Sequence, residues 1–567
     1  MSLECKIYFR RLLLLLFLSI SIVSKIQAQH LSVNAPILKE TLRRSQLIGL
    51  FDQQISFSAR PVNFISDSAI SYATTVWSNS KNSVWLNAMP IQLSHELNTH
   101  HPYSNYNAGM LPSRGNQILI SSGLIGKIGL VKFRFEPELL FSENKAYNGF
   151  PVLPKEDERV WPNSNRWRYM YRWWNNIDRP ESFGSTSIRR IIPGQSSILI
   201  NLEPFALGFS TENLWWGPGK YNSLIMTNNG EGIPHFTFNT VKPVKTRFGS
   251  FEAELIYGKL RNSGLYPPDT SKADSKGIKF YVPKFDEKRI FNGISFSYQP
   301  KWVNGLFLGI NSSIQQYQST AKHYQDYLPL LTDRFGFGKH RRDTIVRNQM
   351  TSVFLRWFDK RHEFYFEYGR HNTSWNWSKI ISSPQLNAAF VVGYTNLIPL
   401  KKPQAYLEFN IEVTQLQQPP DYMVSLRSTQ PVSWYTSQSI RQGYTHNGQI
   451  IGNHAGPGSN IQLAEISWVK NFNKIGLYLE RLSNNNDFVY QAFYGSLGGD
   501  FRSYWIDYTC GILVNKRIKK ILISSSLRFT RSLNYQWETV TSSPYFEDNS
   551  GVDTNNFNLQ TKVVYLF

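Results

Sequence analysis

The polar and apolar positions at the end of the chain alternate. Phe557, Leu559, Val563, Tyr565 and Phe567 occupy the odd positions, with Thr561 the exception. Asn558, Gln560 and Lys562 lie between them, while Val564 and Leu566 blur the pattern near the terminus. Period two places one set on each face of a strand. The alternation recurs upstream. Val131, Phe133 and Phe135 alternate with Lys132, Arg134 and Glu136, and Phe251, Ala253, Leu255 and Tyr257 with Glu252 and Glu254. Phe364, Phe366 and Tyr368 face away from Glu363 and Glu367. Ala405, Leu407, Phe409, Ile411 and Val413 face away from Glu408, Asn410, Glu412 and Thr414, and Ile475, Leu477 and Leu479 from Tyr478 and Glu480. Carboxylates recurring on one face would be ruinous toward lipid but are tolerated in a wet lumen. The pattern therefore predicts an all-β fold, a transmembrane antiparallel β-barrel of about 16–18 strands. Gly126-Lys127, Asn304-Gly305 and Asn471 to Lys474 are expected to be hairpin turns. Segments 143–196, 211–246, 261–288, 316–348, 415–460 and 531–556 are expected to be long loops.

Before the strands the period changes. From Ala35 to Gln54, Leu38, Leu42, Leu47, Leu50 and Phe51 recur at roughly helical spacing, with Lys39, Glu40, Arg43 and Arg44 between them and Pro36 at the start. This predicts a short helical segment, residues 29–66, that caps the periplasmic mouth of a barrel formed by 67–567 or, alternatively, only tethers the terminus. Ahead of it, Lys6, Arg10 and Arg11 precede the apolar run Leu12 to Val23 and the small residue Ala28. That is the layout of a secretory signal peptide, residues 1–28. Twelve apolar residues are too few to span a bilayer as a helix.

Composition sharpens the barrel reading. Aromatics make up 15% of the chain, with 16 Trp, 30 Tyr and 37 Phe, enough for two interfacial girdles. Mean hydropathy is −0.35, which alternation reconciles with a membrane protein. A secreted chain with no apolar helical span has one way to cross a membrane, a closed barrel that pairs every backbone polar group. Formal net charge is +21, a field that attracts anions. Secretion disfavours nucleic acid, leaving acidic polysaccharide and the phosphates of lipopolysaccharide and outer-membrane lipid as the expected partners. Cys5 leaves with the leader and Cys510 stands alone, so neither a disulfide nor a Cys-based metal site is expected.

The sharpest string is Glu212-Asn213-Leu214-Trp215-Trp216-Gly217-Pro218-Gly219-Lys220-Tyr221-Asn222-Ser223-Leu224. Flat aromatic faces suit the C–H faces of sugar rings, and Asn side chains bond hydroxyls; the same residues also suit a packed loop corner or an interfacial girdle. A second stretch interleaves Trp161, Trp167, Tyr169, Tyr171, Trp173 and Trp174 with Arg159, Arg166, Arg168 and Arg172. It suits an acidic glycan, or a loop packed into the lumen with its Arg groups on wall carboxylates such as Glu136 or Glu254. Lys339-His340-Arg341-Arg342 reads as a solvated loop tip.

The 212–224 string also resembles the capsule assembly protein Wzi family. So, in order, do Pro137 to Asn144, Arg179 to Gly184, Pro193 to Ser197, Glu367 to Arg370, Trp434-Tyr435, Arg441 to His446, Gly452 and Gly456 to Ser459. The resemblance covers about 85–500. It implies a barrel of about 18 strands with a helical periplasmic element, and a role in assembling or holding capsular or exopolysaccharide at the cell surface. The candidate polysaccharide-binding residues are Trp215, Trp216, Asn213, Asn222, Arg166, Arg168, Trp434, Tyr435, Arg441 and Tyr444. No cofactor and no catalytic or metal site is expected: there is no Gly-x-Ser-x-Gly elbow and no His-Glu-x-x-His pair. The expected state is an outer-membrane monomer, with polysaccharide export machinery as a possible partner. A porin would instead require an open lumen, a barrel hydrolase a Ser/His/acid cluster at the rim, and a pure scaffold would bind no glycan.

Overall fold

The computed structural model describes residues 28–31, 35–65, 74–79, 83–103, 108–150, 163–274, 276–322, 324–327, 347–371, 381–424, 432–494, 504–537, 539–540 and 550–567. Nearly all of the expected leader, Arg159, Trp161 and the Lys339–Arg342 tip lie outside them.

Among the described residues one antiparallel sheet of 24 segments forms a ladder, most of whose segments group into eighteen strands, with Thr74–Ser78 and Val244–Lys245 pairing beside them. The eighteen are β1 (Val84–Ala88 with Ile91–Asn98), β2 (Gly115–Ser121 with Leu124–Ile128), β3 (Val131–Phe135 with Glu138–Ser142), β4 (Ile188–Ile192 with Ser197–Leu202), β5 (Phe205–Ser210) and β6 (His235–Thr240). Then come β7 (Gly249–Leu260), β8 (Arg289–Pro300), β9 (Leu306–Tyr317), β10 (Asn348–Asp359), β11 (His362–His371) and β12 (Ala388–Pro399). The last are β13 (Ala405–Gln415), β14 (Asn460–Lys470), β15 (Asn473–Asn484), β16 (Trp505–Ile518), β17 (Ile521–Leu533) and β18 (Thr554–Tyr565). Each pairs with its sequence neighbours, and β18 pairs back onto β1 from Asn558↔Asn98 to Tyr565↔Ile91. The ladder thus returns to its first member through Ile91–Asn98, while Val84–Ala88 pairs instead with a further strand, Thr74–Ser78, and Ile188–Ile192 pairs on one side only. Even-to-odd connections are short: residues 129–130, 360–361, 471–472 and 519–520. Odd-to-even connections are long, 143–187 and 416–459 among them. In outer-membrane barrels the short turns are periplasmic.

Burial follows the alternation. Phe557, Tyr565 and Phe567 are exposed while Asn556 and Asn558 are buried. Ile475, Leu477 and Leu479 are exposed while Tyr478 and Glu480 are buried; Phe364 and Phe366 face out while Glu363 and Glu367 face in. Among the described residues no helix is long and apolar enough to cross a membrane.

Four expectations need correction. Gly126-Lys127 lies within β2; the turn is at Gly129-Leu130, where Gly129 takes a positive φ of 59°. Segment 211–246 is not all loop, since His235–Thr240 is β6 and pairs on both sides. Segment 143–196 likewise holds the start of β4 and a helix, α2 (Asn163–Trp174). Its aromatic-basic interleaving is helical: Met170, Tyr171 and Trp174 are buried on one side while Arg168 is exposed. The N-terminal helix, α1 (Pro36–Leu47), is shorter than its pattern suggested. Gly49 at φ 77° ends it, leaving Leu50 exposed.

α1 lies inside the barrel at the short-turn end. Its Leu47 carbonyl accepts from the Arg361 N–H at 3.2 Å and its Arg44 donates to the Asn471 carbonyl at 3.2 Å, both in short turns. Ile37, Leu38 and Leu42 pack with Ile55, Phe57, Ile125, Leu522 and Val564.

Candidate functional site

Some inward carboxylates of the strands meet cations and others neutral donors. Arg43 and Arg44 of α1 pair with Glu363 and Glu408 at 2.9 and 2.8 Å. Arg356 also pairs with Glu363, at 2.5 Å, and Lys474 with Glu465 at 2.8 Å. Buried charge of this density persists only when paired and hydrogen-bonded. Glu136 is held by Arg134 and Gln92, not by the aromatic-basic stretch. Beside α1 remains a cavity of about 280 Å³, lined by Lys39, Glu40, His95, Glu138, Gln560 and Lys562 among others.

The 212–224 string runs through this network. Trp215-Trp216 forms a two-residue strand with Ala59-Arg60. Arg60 and Lys39 sit over the Trp215 ring at 4.7 and 4.5 Å. The carbonyls of Gly217 and Gly219 accept from Arg60, at 3.1 and 2.8 Å, and that of Pro218 from Arg43 at 2.7 Å. Glu412 then collects the backbone N–H groups of Lys220 and Tyr221 at 2.9 and 3.0 Å, the Asn222 amide at 2.8 Å and the Tyr365 hydroxyl at 2.6 Å. The Trp216 indole N–H donates to Glu254 at 2.7 Å. Gly217 has φ 133°, and a Cβ there would strike the Glu367 carboxylate at 2.7 Å, so only glycine serves.

The other sequence-selected residues are also engaged by the protein. Asn213 donates to the Gly230 carbonyl at 2.8 Å and accepts from Gln195 at 2.8 Å. Trp434, Tyr435 and Tyr444 are 0, 0 and 1% exposed and cluster with Trp216, Leu224 and Tyr365. Tyr435 and Tyr444 stack with centroids 5.8 Å apart, and the Tyr435 hydroxyl donates to the Leu224 carbonyl at 2.6 Å. Arg441 donates to the carbonyls of Asn175, Pro283 and Val282 at 3.1, 3.0 and 2.6 Å, tying three long loops together. The faces of Trp215 and Trp216 are therefore filled by protein, and the string is brought together with Trp434, Tyr435 and Tyr444 as interior packing. Arg168 stands apart and exposed on α2. Arg166 is on the same helix, its side chain outside the described residues.

A second cavity, of about 200 Å³, lies at the long-loop end. Tyr147, Trp173, Trp174, Trp505, Tyr535 and Trp537 line it, with Arg179, Glu181 and Asp507 as its charged groups and His101 and His454 beside them. Trp505 meets Tyr535 and Trp537 nearly edge-on at 5.0 and 5.1 Å. Its indole N–H donates to Asp507 at 2.7 Å, and that of Trp537 to the Asn484 carbonyl at 3.2 Å. Phe150 N–H donates to one Glu181 oxygen. Gly149 leaves room for that carboxylate, which a Cβ there would meet at 1.9 Å. Burial raises the Glu181 carboxyl to about 7, and lowers the imidazoles of His101 and His454 to about 3.

The geometry can be set beside known proteins. The profile of the family described as capsule assembly protein Wzi matches residues 194–499. The chain belongs to the capsule assembly protein Wzi family. Among solved structures it is similar to Wzi of Escherichia coli, described as an outer-membrane protein involved in group 1 capsule assembly and a carbohydrate-binding β-barrel. The TM-score is 0.55 at 11% identity, covering 95% of this chain and 100% of that one. Acinetobacter baumannii OccAB2 follows at TM-score 0.39 and 9% identity, covering 84% of this chain and 97% of that one. Pseudomonas aeruginosa OpdQ follows at 0.38 and 9%, covering 85% and 97%. No curated protein sequence matches the chain. Family and architecture place this Wzi-family chain in the outer membrane. The matched region holds the 212–224 string and the later stretches at 367–370 and 434–459; those at 137–144 and 179–184 precede it.

What sequence reading missed in this Wzi-family chain is the loop-end cavity. Its aromatic residues come from separate loops: Tyr147 precedes β4, Trp505 begins β16, and Tyr535 and Trp537 follow β17. Their one shared signal is an aromatic residue next to a long loop.

Proposed function

We propose that this chain binds capsular or exopolysaccharide at its long-loop end and helps hold it as a surface layer, a binding and assembly role without chemistry. The observation that carries the reading is the contrast between the two ends. The short-turn end holds α1, its ion pairs and a cavity lined by charged side chains, whereas the long-loop end carries an aromatic cavity and the exposed Arg168. The name of the family and the carbohydrate binding described for the Escherichia coli relative support it. Arg168, with Arg166 beside it on α2, meets acidic groups of the polymer. Trp215, Trp216, Asn213, Asn222, Trp434, Tyr435, Arg441 and Tyr444 serve it by holding the loops in place. The protein acts as a monomer, and export machinery delivers the polymer to it.

The test is direct binding by purified barrel together with surface retention of polysaccharide. Arg168→Ala should weaken binding to the cell's own acidic polymer, and the lost part should be the part that wild type itself loses between ~0.05 and 0.5 M salt, because exposed charges are screened beyond about 10 Å at ~0.1 M. Normal heat-modifiable migration must first show that the variant is folded. Wild-type barrel that binds none of its own cell's polysaccharide overturns the function; an unchanged salt response in Arg168→Ala overturns the role of Arg168.

A further inference from the structure

The loop-end cavity and the net charge of the chain point in different directions. A formal charge of +21 favours an acidic polymer, yet the walls of this cavity carry no such excess. Glu181 and Asp507 contribute two carboxylates and Arg179 one guanidinium. His101 and His454, the titratable imidazoles beside them, are neutral at pH 7 because burial holds them near 3. The cavity therefore offers no excess of positive charge to draw in an anionic sugar residue, whose partial burial would cost it hydration.

The polar groups that remain free have hydroxyl chemistry. Glu181 Oε2 and the Trp173 indole N–H are buried with no hydrogen-bond partner, and buried polar groups of this kind are otherwise nearly always paired. One is an acceptor and the other a donor, and sugar hydroxyls can both donate and accept. Around them stand the rings of Tyr147, Trp174, Trp505, Tyr535 and Trp537. Their negative π faces suit the weakly positive C–H face of a pyranose. Tyr147, Trp173, Glu181 and Trp505 are half-buried, so the cavity reaches solvent. At about 200 Å³ it falls below the roughly 300–1,000 Å³ of drug-sized sites, which suits a single ring.

We propose that this cavity takes one uncharged pyranose unit of the polysaccharide, its hydroxyls bonded to Glu181 and Trp173 and its ring held by the surrounding aromatics. This rests on the polysaccharide-binding reading above and assigns the work within it: the acidic groups of the polymer stay outside, at Arg168, while a neutral unit is read inside.

The test uses oligosaccharides released by mild acid from the surface polysaccharide of the protein's own cell, separated by anion exchange into uncharged and charged fractions. Each is titrated into the purified full-length barrel in detergent, with tryptophan fluorescence and calorimetry as readouts. Uncharged fragments should bind, with an affinity that changes less than twofold between 0.05 and 0.5 M salt. Trp173→Ala should weaken them tenfold or more and Glu181→Gln severalfold, with Trp173→Phe between wild type and Trp173→Ala. Each variant must show wild-type heat-modifiability; Glu181→Gln, which preserves volume, keeps the test alive if Trp173→Ala fails to fold. If uncharged fragments do not bind, or bind all folded variants equally, while intact polysaccharide still binds, the cavity assignment is wrong and the broader function stands. The same holds if charged fragments bind better and lose their affinity in Arg179→Gln. If neither fragments nor intact polymer bind, both readings fall.

Discussion

Glu363 shows how single residues hold this molecule together. It accepts from two guanidinia, those of Arg43 on α1 and Arg356 on β10, and all three side chains are almost wholly buried. Removing one partner of a buried pair costs about 3–5 kcal/mol because the other charge is left uncompensated. Glu363→Ala strands two cations, whereas Arg43→Ala leaves Glu363 with Arg356. The expected order of destabilisation is therefore Glu363→Ala well beyond Arg43→Ala, read as the temperature at which heat-modifiable migration is lost. Glu181 provides a pH signature at the same scale. Its folded carboxyl titrates near 7 against an ordinary 4.5, raised by burial and partly opposed by the Phe150 N–H. A raised carboxyl contributes stability that is complete below about 4.5 and lost as pH rises through 7. Arg179 and the phenols of Tyr147 and Tyr535 do not titrate in that window and His101 and His454 titrate below it, while burial also raises Asp487 at the same end to about 7, so Glu181 carries only part of the response. Tryptophan fluorescence should show the long-loop end of wild type melting at lower temperature at pH 8 than at pH 5. Glu181→Gln should lose part of that difference, and an identical pH response in the variant would remove Glu181 as its source.

Among elements, α1 carries the most consequence. Twelve residues neutralise Glu363 and Glu408 and pack Ile37, Leu38 and Leu42 against the wall. Wild-type protein in planar bilayers is expected to show little steady conductance. Deleting residues 36–47 should raise it, because α1 with its Arg43 and Arg44 side chains would no longer occupy the lumen at the short-turn end. Large porin-like currents from wild type, or no change on deletion, would refute the plugging role. The 212–224 loop is the second such element, a strap whose carbonyls cap Arg43 and Arg60 while Glu412 gathers its N–H groups.

For the whole molecule the decisive feature is the pairing of β18 with β1. That pairing joins the last strand to the first, and pairing of backbone groups is the condition for spanning a membrane with strands. Tyr565 and Phe567 end the closing strand on the outward face, their rings edge-to-face at 5.7 Å. Phe567→Asp places a charge on that face and should reduce the yield of assembled barrel. The measurement is the heat-modifiable fraction in outer membranes of cells expressing variant and wild type equally. Equal yields would show that the terminal ring is dispensable.

The sequence by itself determined the strand pattern and the faces of the strands, because period two is a local property: Phe364, Phe366, Glu363 and Glu367 sort correctly from spacing alone. It also determined α1 through the helical spacing of Leu38, Leu42 and Leu47, and the family through an ordered set of short strings. It misplaced the turn at Gly126-Lys127, since a glycine within a strand and a glycine in a turn differ only in backbone angles set by the register. Only the tertiary structure decided what the conspicuous residues do. Trp215, Trp216, Trp434, Tyr435 and Tyr444 look like stacking faces in one dimension and are interior packing in three, because burial depends on contacts between segments hundreds of residues apart. Glu363 and Arg43 become partners across 320 positions. For the same reason the loop-end cavity was invisible: Tyr147, Trp173, Glu181, Trp505 and Trp537 share no spacing, and only the folded sheet brings their loops to one end.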